Sequence, residues 1–186
     1  PLSSSAASDV YKRQVINSKV QRPGVCNALE TLLINSQIYQ DMGSLIIEKL
    51  LENKVELFVD ETIKEDFSNL NLANESHYET EFLDLKLAVK VVDSVDQAIE
   101  HIKVYSSGHT EAILTESKEV ADTFAKSIDS SVIFINSSTR FTDGEMFGFG
   151  SEIGISTQKL HVRGPMGLEA LTNERYVVTG EGTVRG

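Results

Sequence analysis

The feature that most limits what this chain can fold into is a repeated switch between two hydrophobic periods. Thr31-Leu32-Leu33-Ile34-Asn35 is an apolar run of strand length. The stretch from Met42 to Asn53 then places Leu45, Ile46, Leu50 and Leu51 on one helical stripe. Val55 to Asp60 alternates as a strand, and Leu87 to Val92 is the next one. Asp93 or Ser94 can cap a helix running to about Tyr105. Ala112 to Thr115 forms a short strand, Ser117 caps a helix to about Ile128, and Ser131 to Asn136 is a further strand. This alternation predicts an α/β fold with a largely parallel sheet and flanking helices, because parallel strands need long crossovers and helices supply them. Residues 61–86 are polar, and Asn69, Asn71 and Asn74 predict an irregular connection there. Arg140 to Gly167 is rich in glycine and lacks periodicity, which suits a site-forming loop. Tyr176 to Thr179 and Thr183 to Arg185 flank Gly180-Glu181-Gly182 and predict a C-terminal β extension of two short strands. Such a tail is an exposed edge unless it pairs with something.

With 186 residues, 40% of them hydrophobic, the chain can bury one core. A net charge of −11 argues against a nucleic-acid partner, and no apolar run has the length of a membrane span. An acidic chain that binds an anionic substrate must do so through a few specific cations. The single cysteine cannot form an intramolecular disulfide and fits a reducing, cytoplasmic setting.

That cysteine, Cys26, lies in Gln21-Arg22-Pro23-Gly24-Val25-Cys26-Asn27-Ala28. Pro23 fixes one torsion and Gly24 frees the next, so Cys26 is presented from a bend. Arg22 is close enough in sequence to favour the nucleophilic thiolate. Against this stands the plainer reading of a lone free cysteine as a small buried hydrophobe. Among the four histidines, His109 sits in the small-residue turn Ser106-Ser107-Gly108-His109-Thr110, where the ring either reaches a ligand or holds the turn. His101 lies on a predicted helix, and His77 has no distinguishing neighbour. His161 lies between Lys159 and Arg163, a basic cluster suited to a phosphate or carboxylate. Arg22 and Arg163 are the candidate anion contacts. The histidines and the cysteine show no metal-ligand spacing, so no metal site is expected. No glycine-rich phosphate loop of the Rossmann or P-loop type is present.

Three longer segments carry a family resemblance. Asn17 to Leu33, containing Gln-Arg-Pro-Gly-Val-Cys-Asn-Ala-Leu-Glu-Thr, resembles the nucleophile segment of gamma-glutamyl phosphate reductases, also called glutamate-5-semialdehyde dehydrogenases. Ala98 to Ile113, ending Ser-Ser-Gly-His-Thr-Glu-Ala-Ile, resembles the signature region of the same family. Phe149 to Thr172, containing Glu-Ile-Gly-Ile-Ser-Thr-Gln-Lys-Leu-His-Val-Arg-Gly-Pro-Met-Gly, resembles its C-terminal region. The resemblance runs from about Val15 to the C-terminus and implies an aldehyde-dehydrogenase-like catalytic domain. It also implies NADPH-dependent reduction of L-glutamyl 5-phosphate, a step of proline biosynthesis. The Cys26 thiolate would attack the acyl phosphate and expel phosphate, leaving a thioester. Hydride from the nicotinamide would then give a thiohemiacetal that collapses to L-glutamate 5-semialdehyde. By this resemblance Cys26 is the nucleophile, and its backbone amide is an oxyanion donor. Arg22, Asn27, His109 and Arg163 are the substrate-side candidates. Glu81, in Glu81-Phe82, resembles the superfamily's glutamate that holds the nicotinamide ribose, although Glu79 and Asp84 make a merely solvated acidic loop an equally simple reading. The partners implied are a small acyl-phosphate substrate, an upstream NADPH-binding domain, further copies of the chain, and glutamate 5-kinase for channelling.

Residues 1–14 stand apart. Ser4 to Gln14 can be encoded by a transposase adapter used in short-read sequencing, so the expectation is a non-native segment, with a disordered polar N-terminus as the alternative. This predicts a catalytic domain over residues 15–165, a C-terminal oligomerisation segment over 166–186, and a missing upstream NADPH-binding domain. Two other functions fit the residue types. One is a cofactor-independent cysteine acyl-transferase or hydrolase using Cys26 with His109 or His161, and the other is a non-catalytic interaction module with Cys26 buried.

Overall fold

A computed structural model describes residues 4–186, with side chains from Ser8 onward. Helix α1 (Ser4–Val20) leads into the Cys26 turn, followed by β1 (Thr31–Asn35), the short α2 (Ser36–Ile38), a π turn (Tyr39–Gly43) and α3 (Ser44–Glu52). Then come β2 (Glu56–Val59), α4 (Glu61–Asp66), β3 (Asn71–Leu72), α5 (Glu75–Glu79) and β4 (Lys86–Val92). The second half contains α6 (Val95–Tyr105), β5 (Thr110–Ile113), α7 (Lys118–Ser127), β6 (Val132–Ile135) and the short strands β7 (Ile153–Ile155) and β8 (Gly164–Met166).

The predicted α/β architecture is present. Four parallel strands run in the order β1-β4-β2-β3, with Thr31 opposite Ala88 and Phe58 opposite Ala88 on the other side. β5 and β6 form a separate parallel pair, and β7 and β8 an antiparallel one. The first core lies between the four-stranded sheet and α1, α3 and α4. Ile47, Leu50, Val59, Ile63, Leu87 and Val89 are fully buried there. A smaller core joins Ile99 of α6 to Phe124 and Ile128 at the end of α7. The predicted caps hold: the Ser94 hydroxyl accepts from the Gln97 amide at 3.2 Å, and Ser117 accepts from Val120 at 3.3 Å.

Two regions differ from expectation. Residues 61–86 contain α4, β3 and α5: Asp60 caps α4, and Asn74, read as a breaker, caps α5. Asp60 Oδ1 accepts from the Ile63 amide at 3.1 Å, and His77 Nδ1 accepts from the Asn74 amide at 3.0 Å. The expected C-terminal strand pair at 176–185 is absent, and the antiparallel pair forms upstream as β7 and β8. Tyr176 and Val178 are 86% and 91% exposed, so the apolar alternation finds no strand among the described residues to pair with. Residues 4–14, expected to be non-native, belong to α1, with Pro1 to Ser3 outside the described residues. Burial in α1 begins at Val15.

Candidate active site

Cys26 is exposed on a turn closed by the Ala28 amide donating to Val25 O at 2.9 Å. The bend predicted from Pro23-Gly24 is therefore present, and the reading of Cys26 as a buried hydrophobe is not. The turn is stapled on two sides. Leu29 N donates to Ser18 O at 2.9 Å, which ties it to α1. The Asn27 amide donates to Thr142 O at 2.6 Å, which ties it to the loop after β6. That loop is itself held against α1: Ser138 Oγ meets Ser18 Oγ at 3.0 Å, and Arg140 Nε donates to Gln21 Oε1 at 2.7 Å.

Asn27, expected on the substrate side, is only 6% exposed, and its amide nitrogen donates one hydrogen bond to Thr142 O. Its Oδ1 is buried without a partner. The residue holds the nucleophile turn in place.

Three charged groups act on the two reactive side chains. Desolvation is the largest influence on the Cys26 thiol and pushes it up, even though the residue as a whole is exposed. The Glu152 carboxylate raises it further and Glu81 adds to this, while its own backbone amide and Arg140 pull it down. The cation acting on the thiol is thus Arg140, brought in from 114 positions along the chain, and not the sequence neighbour Arg22. Arg22 is exposed and makes no hydrogen bond or ion pair among the described residues. Burial lowers the His109 ring, and Glu152 and Glu81 oppose that shift. Cys26 and His109 therefore share the same two carboxylates. No hydrogen bond among the described residues joins a histidine ring to the Cys26 sulfur.

His109 is positioned by a relay. Its Nδ1 meets Thr110 Oγ1 at 2.7 Å, and Thr110 Oγ1 meets Thr142 Oγ1 at 2.9 Å. Thr142 is fully buried and also carries the carbonyl that receives Asn27, so one residue braces both the histidine and the cysteine turn. The His109 carbonyl accepts from Ser131 Oγ at 2.7 Å, and Glu111 beneath the turn accepts from Ser106 and Ser130.

Glu81 is exposed beside Phe82, whose ring stacks on Phe58 at 5.5 Å. His77, undistinguished in sequence, stacks on Phe58 at 4.1 Å and completes this aromatic support. Glu152 arrives on the glycine-rich segment. A Cβ on Gly144 would lie 2.3 Å from Ser151 O and 2.8 Å from Glu152 Cβ, so only glycine allows that approach. Glu152 and Arg140 were not legible as site residues. Their one sequence signal was the glycine-rich stretch that holds them both.

The predicted basic cluster lies elsewhere. Arg163 donates to Asp129 Oδ1 at 2.7 Å and to Asp129 O at 3.1 Å, and Lys159 pairs with the same carboxylate. Arg163 is thereby committed to an ion pair that fastens the loop. His161 is exposed, with Nδ1 within 2.6 Å of Val162 O. His101 packs edge-on to Tyr78 at 4.9 Å, away from the cysteine turn.

No family model matches the chain. It is 50% identical over 181 residues to the gamma-glutamyl phosphate reductase of Thermoanaerobacter sp. strain X514, a match covering 97% of this chain and 44% of that protein. It is 53% identical over 171 residues to the Bacillus mycoides gamma-glutamyl phosphate reductase, covering 92% of this chain and 41% of that one. The crystal structure of gamma-glutamyl phosphate reductase from Thermotoga maritima superposes with a TM-score of 0.89 at 48% identity, over 96% of this chain and 43% of that one. A propionaldehyde dehydrogenase from Clostridium phytofermentans, at 14% identity and a TM-score of 0.54, shares the fold alone. The chain thus spans under half the length of the relatives it matches. Half identical over nearly all of its own length to these enzymes and superposable on one of them, the chain is similar throughout to one part of gamma-glutamyl phosphate reductases.

Proposed function

We propose that this chain carries the cysteine half of the site that reduces L-glutamyl 5-phosphate to L-glutamate 5-semialdehyde and phosphate, with NADPH as reductant. The observation that carries this reading is the exposed Cys26 on a doubly stapled turn, with Glu81, Glu152 and Arg140 acting on its thiol and the same two carboxylates acting on His109. An acyl phosphate is already activated, so the sulfur needs position more than a strong base. Attack forms the C–S bond, breaks the bond to phosphate, and leaves a thioester on Cys26. The Cys26 amide lies against its own sulfur, where an oxyanion formed by that sulfur would sit within reach. The unpaired Arg22 guanidinium, four residues before the nucleophile, suits the leaving phosphate.

Glu81 fits the cofactor side. An exposed, acceptor-only carboxylate near the thiol matches the hydroxyls of a ribose, and Phe82 is immobilised beneath it by stacking. A glyceraldehyde-3-phosphate dehydrogenase of the same fold from Methanocaldococcus jannaschii was solved with NADP bound. The reduced nicotinamide supplies the hydride when bound. The sequence contains no glycine-rich phosphate loop, so these 186 residues alone are expected to turn over little or no NADPH. Further copies of the chain are the natural partner for the exposed apolar residues at 176–184, and glutamate 5-kinase is the candidate donor of the unstable acyl phosphate. A cytoplasmic setting fits the free thiol.

The test is Cys26→Ser in the complete enzyme. Turnover falls by roughly a thousandfold or more while NADPH still binds, because the nucleophile is lost and the cofactor contact is kept. Turnover at the parent level would remove Cys26 from the mechanism.

A further inference from the structure

Among the described residues Lys19 is the one cation with no solvent exposure at all, and nothing in the chemistry above uses it. Its Nζ lies 3.0 Å from Glu30 Oε2, and the Glu30 side chain is 20% exposed. The other carboxylate oxygen, Glu30 Oε1, accepts from the Leu83 amide at 3.2 Å. Leu83 has a φ of 52°, a left-handed conformation that a leucine does not adopt without support from its surroundings. On the far side of the same bend, an ideal Cβ on Gly24 would lie 3.5 Å from Leu83 O, so the cysteine turn and the Glu81 loop lie within one side-chain atom of each other.

These contacts form a chain between two functional groups. Glu30 follows Cys26 by four residues, and Leu83 follows Glu81 by two. Lys19 anchors the arrangement in α1, where the Ser18 carbonyl already holds Leu29. A buried ion pair is a poor source of net stability, since apolar residues of similar size often do as well. What a pair of this kind supplies is a fixed geometry.

We infer that Lys19 and Glu30 are positioning residues that clamp the Glu81 loop against the Cys26 turn and so set how the cofactor-side carboxylate faces the nucleophile. The inference rests on the reading of Glu81 as the cofactor contact for its functional meaning, though the clamp itself does not depend on it.

The test uses Lys19→Met/Glu30→Leu in the complete enzyme. The double change removes one charge of each sign, so net charge is unchanged and no buried ion is left unpaired. Two readouts are taken: the pH profile of Cys26 alkylation by iodoacetamide, followed by mass spectrometry of the Cys26 peptide, and the KM for NADPH against kcat. Glu81→Gln serves as the reference. Three groups set the charge at the sulfur, namely Glu152, Glu81 and Arg140, and only Glu81 is held by the clamp. Release of Glu81 is therefore expected to move the alkylation midpoint down, in the same direction as Glu81→Gln, with several-fold faster alkylation near neutral pH. The triple variant should go no further than Glu81→Gln alone. A parent-like profile in the double variant, or a shift that adds fully to that of Glu81→Gln, overturns the clamp. If the double variant does not fold, Glu30→Asp decides: it keeps the charge beside Lys19 but withdraws the carboxylate from Leu83. A smaller shift of the same sign supports the clamp, and no shift overturns it. The KM separates the two readings. A rise in both Glu81→Gln and the double variant supports both. A moved alkylation midpoint with an unchanged KM in Glu81→Gln upholds the clamp and removes Glu81 from the cofactor site.

Discussion

The turn around Cys26 and the glycine-rich segment from Gly144 to Arg163 face the same thiol, yet they are held by opposite means. The cysteine turn is fixed from inside the protein, by the pair of buried Lys19 with half-buried Glu30, the Asn27–Thr142 bond and the Ser18 carbonyl. The segment carrying Glu152 is fixed at the surface, by the short β7–β8 pairing and by exposed ion pairs from Arg163 and Lys159 to Asp129. Charges of one kind therefore behave differently in the two regions. Breaking a buried pair leaves an ion stranded in a poorly solvated place, whereas water replaces a lost partner at the surface. The nucleophile is pre-set, and the second carboxylate stands on the part of the site more easily moved.

Substitutions can break this contrast, and the largest effect belongs to the buried side. Glu30→Leu alone leaves Lys19 unpaired and should lower unfolding free energy by about 3–5 kcal/mol in chemical denaturation. Adding Lys19→Met should recover most of that loss. A single variant as stable as the double would mean that Lys19 is not sealed from water.

A second effect comes from His101, which is 9% exposed and has no hydrogen-bond partner for Nε2. Burial, then the nearby Lys90 charge, lowers its ring from 6.5 to about 4. Tyr78 and Tyr105 enclose it at 4.9 and 4.6 Å and offer no compensating negative charge. The folded state binds the proton less readily than the unfolded chain, so this stability is complete above the unfolded pKa. It is lost as pH falls through the window from 6.5 to about 4. The loss amounts to about 3 kcal/mol at the acid end. His101→Phe should flatten that part of the stability–pH curve, and an unchanged curve would place the acid sensitivity elsewhere.

Thr142→Val removes the hydroxyl between His109 and the cysteine turn but keeps the carbonyl that Asn27 uses. It should cost about 1–2 kcal/mol, since Thr110 loses a bonded partner inside the protein. Thr142→Ser should restore the stability. At the bottom of the scale, Arg163→Ala should leave the melting midpoint unchanged within error, because Asp129 is well solvated without it. A clear drop would show that the glycine-rich segment is held as firmly as the cysteine turn.

Much of the fold was legible because its signals are local. The run Thr31 to Asn35 is the first strand residue for residue, and Ser94 and Ser117 cap the helices that follow them. The bend at Cys26 followed from Pro23-Gly24. Local signals also misled where they had two meanings. Asn74 served as a cap and not as a breaker, and the apolar alternation of 176–185 promised strands that no neighbour among the described residues completes.

Sequence by itself determined the α/β alternation, the bend bearing the one thiol, and the family to which those residues point. Only the tertiary structure decided which charges meet. Arg163 was spent on Asp129, Asn27 on Thr142, and Lys19 on Glu30, while Arg140, Glu81 and Glu152 came to Cys26 from distant parts of the chain. The physical reason is range. Periodicity, caps and turns depend on neighbours a few residues apart, but the partner of a charge is chosen by packing, which brings together positions that the sequence leaves unrelated.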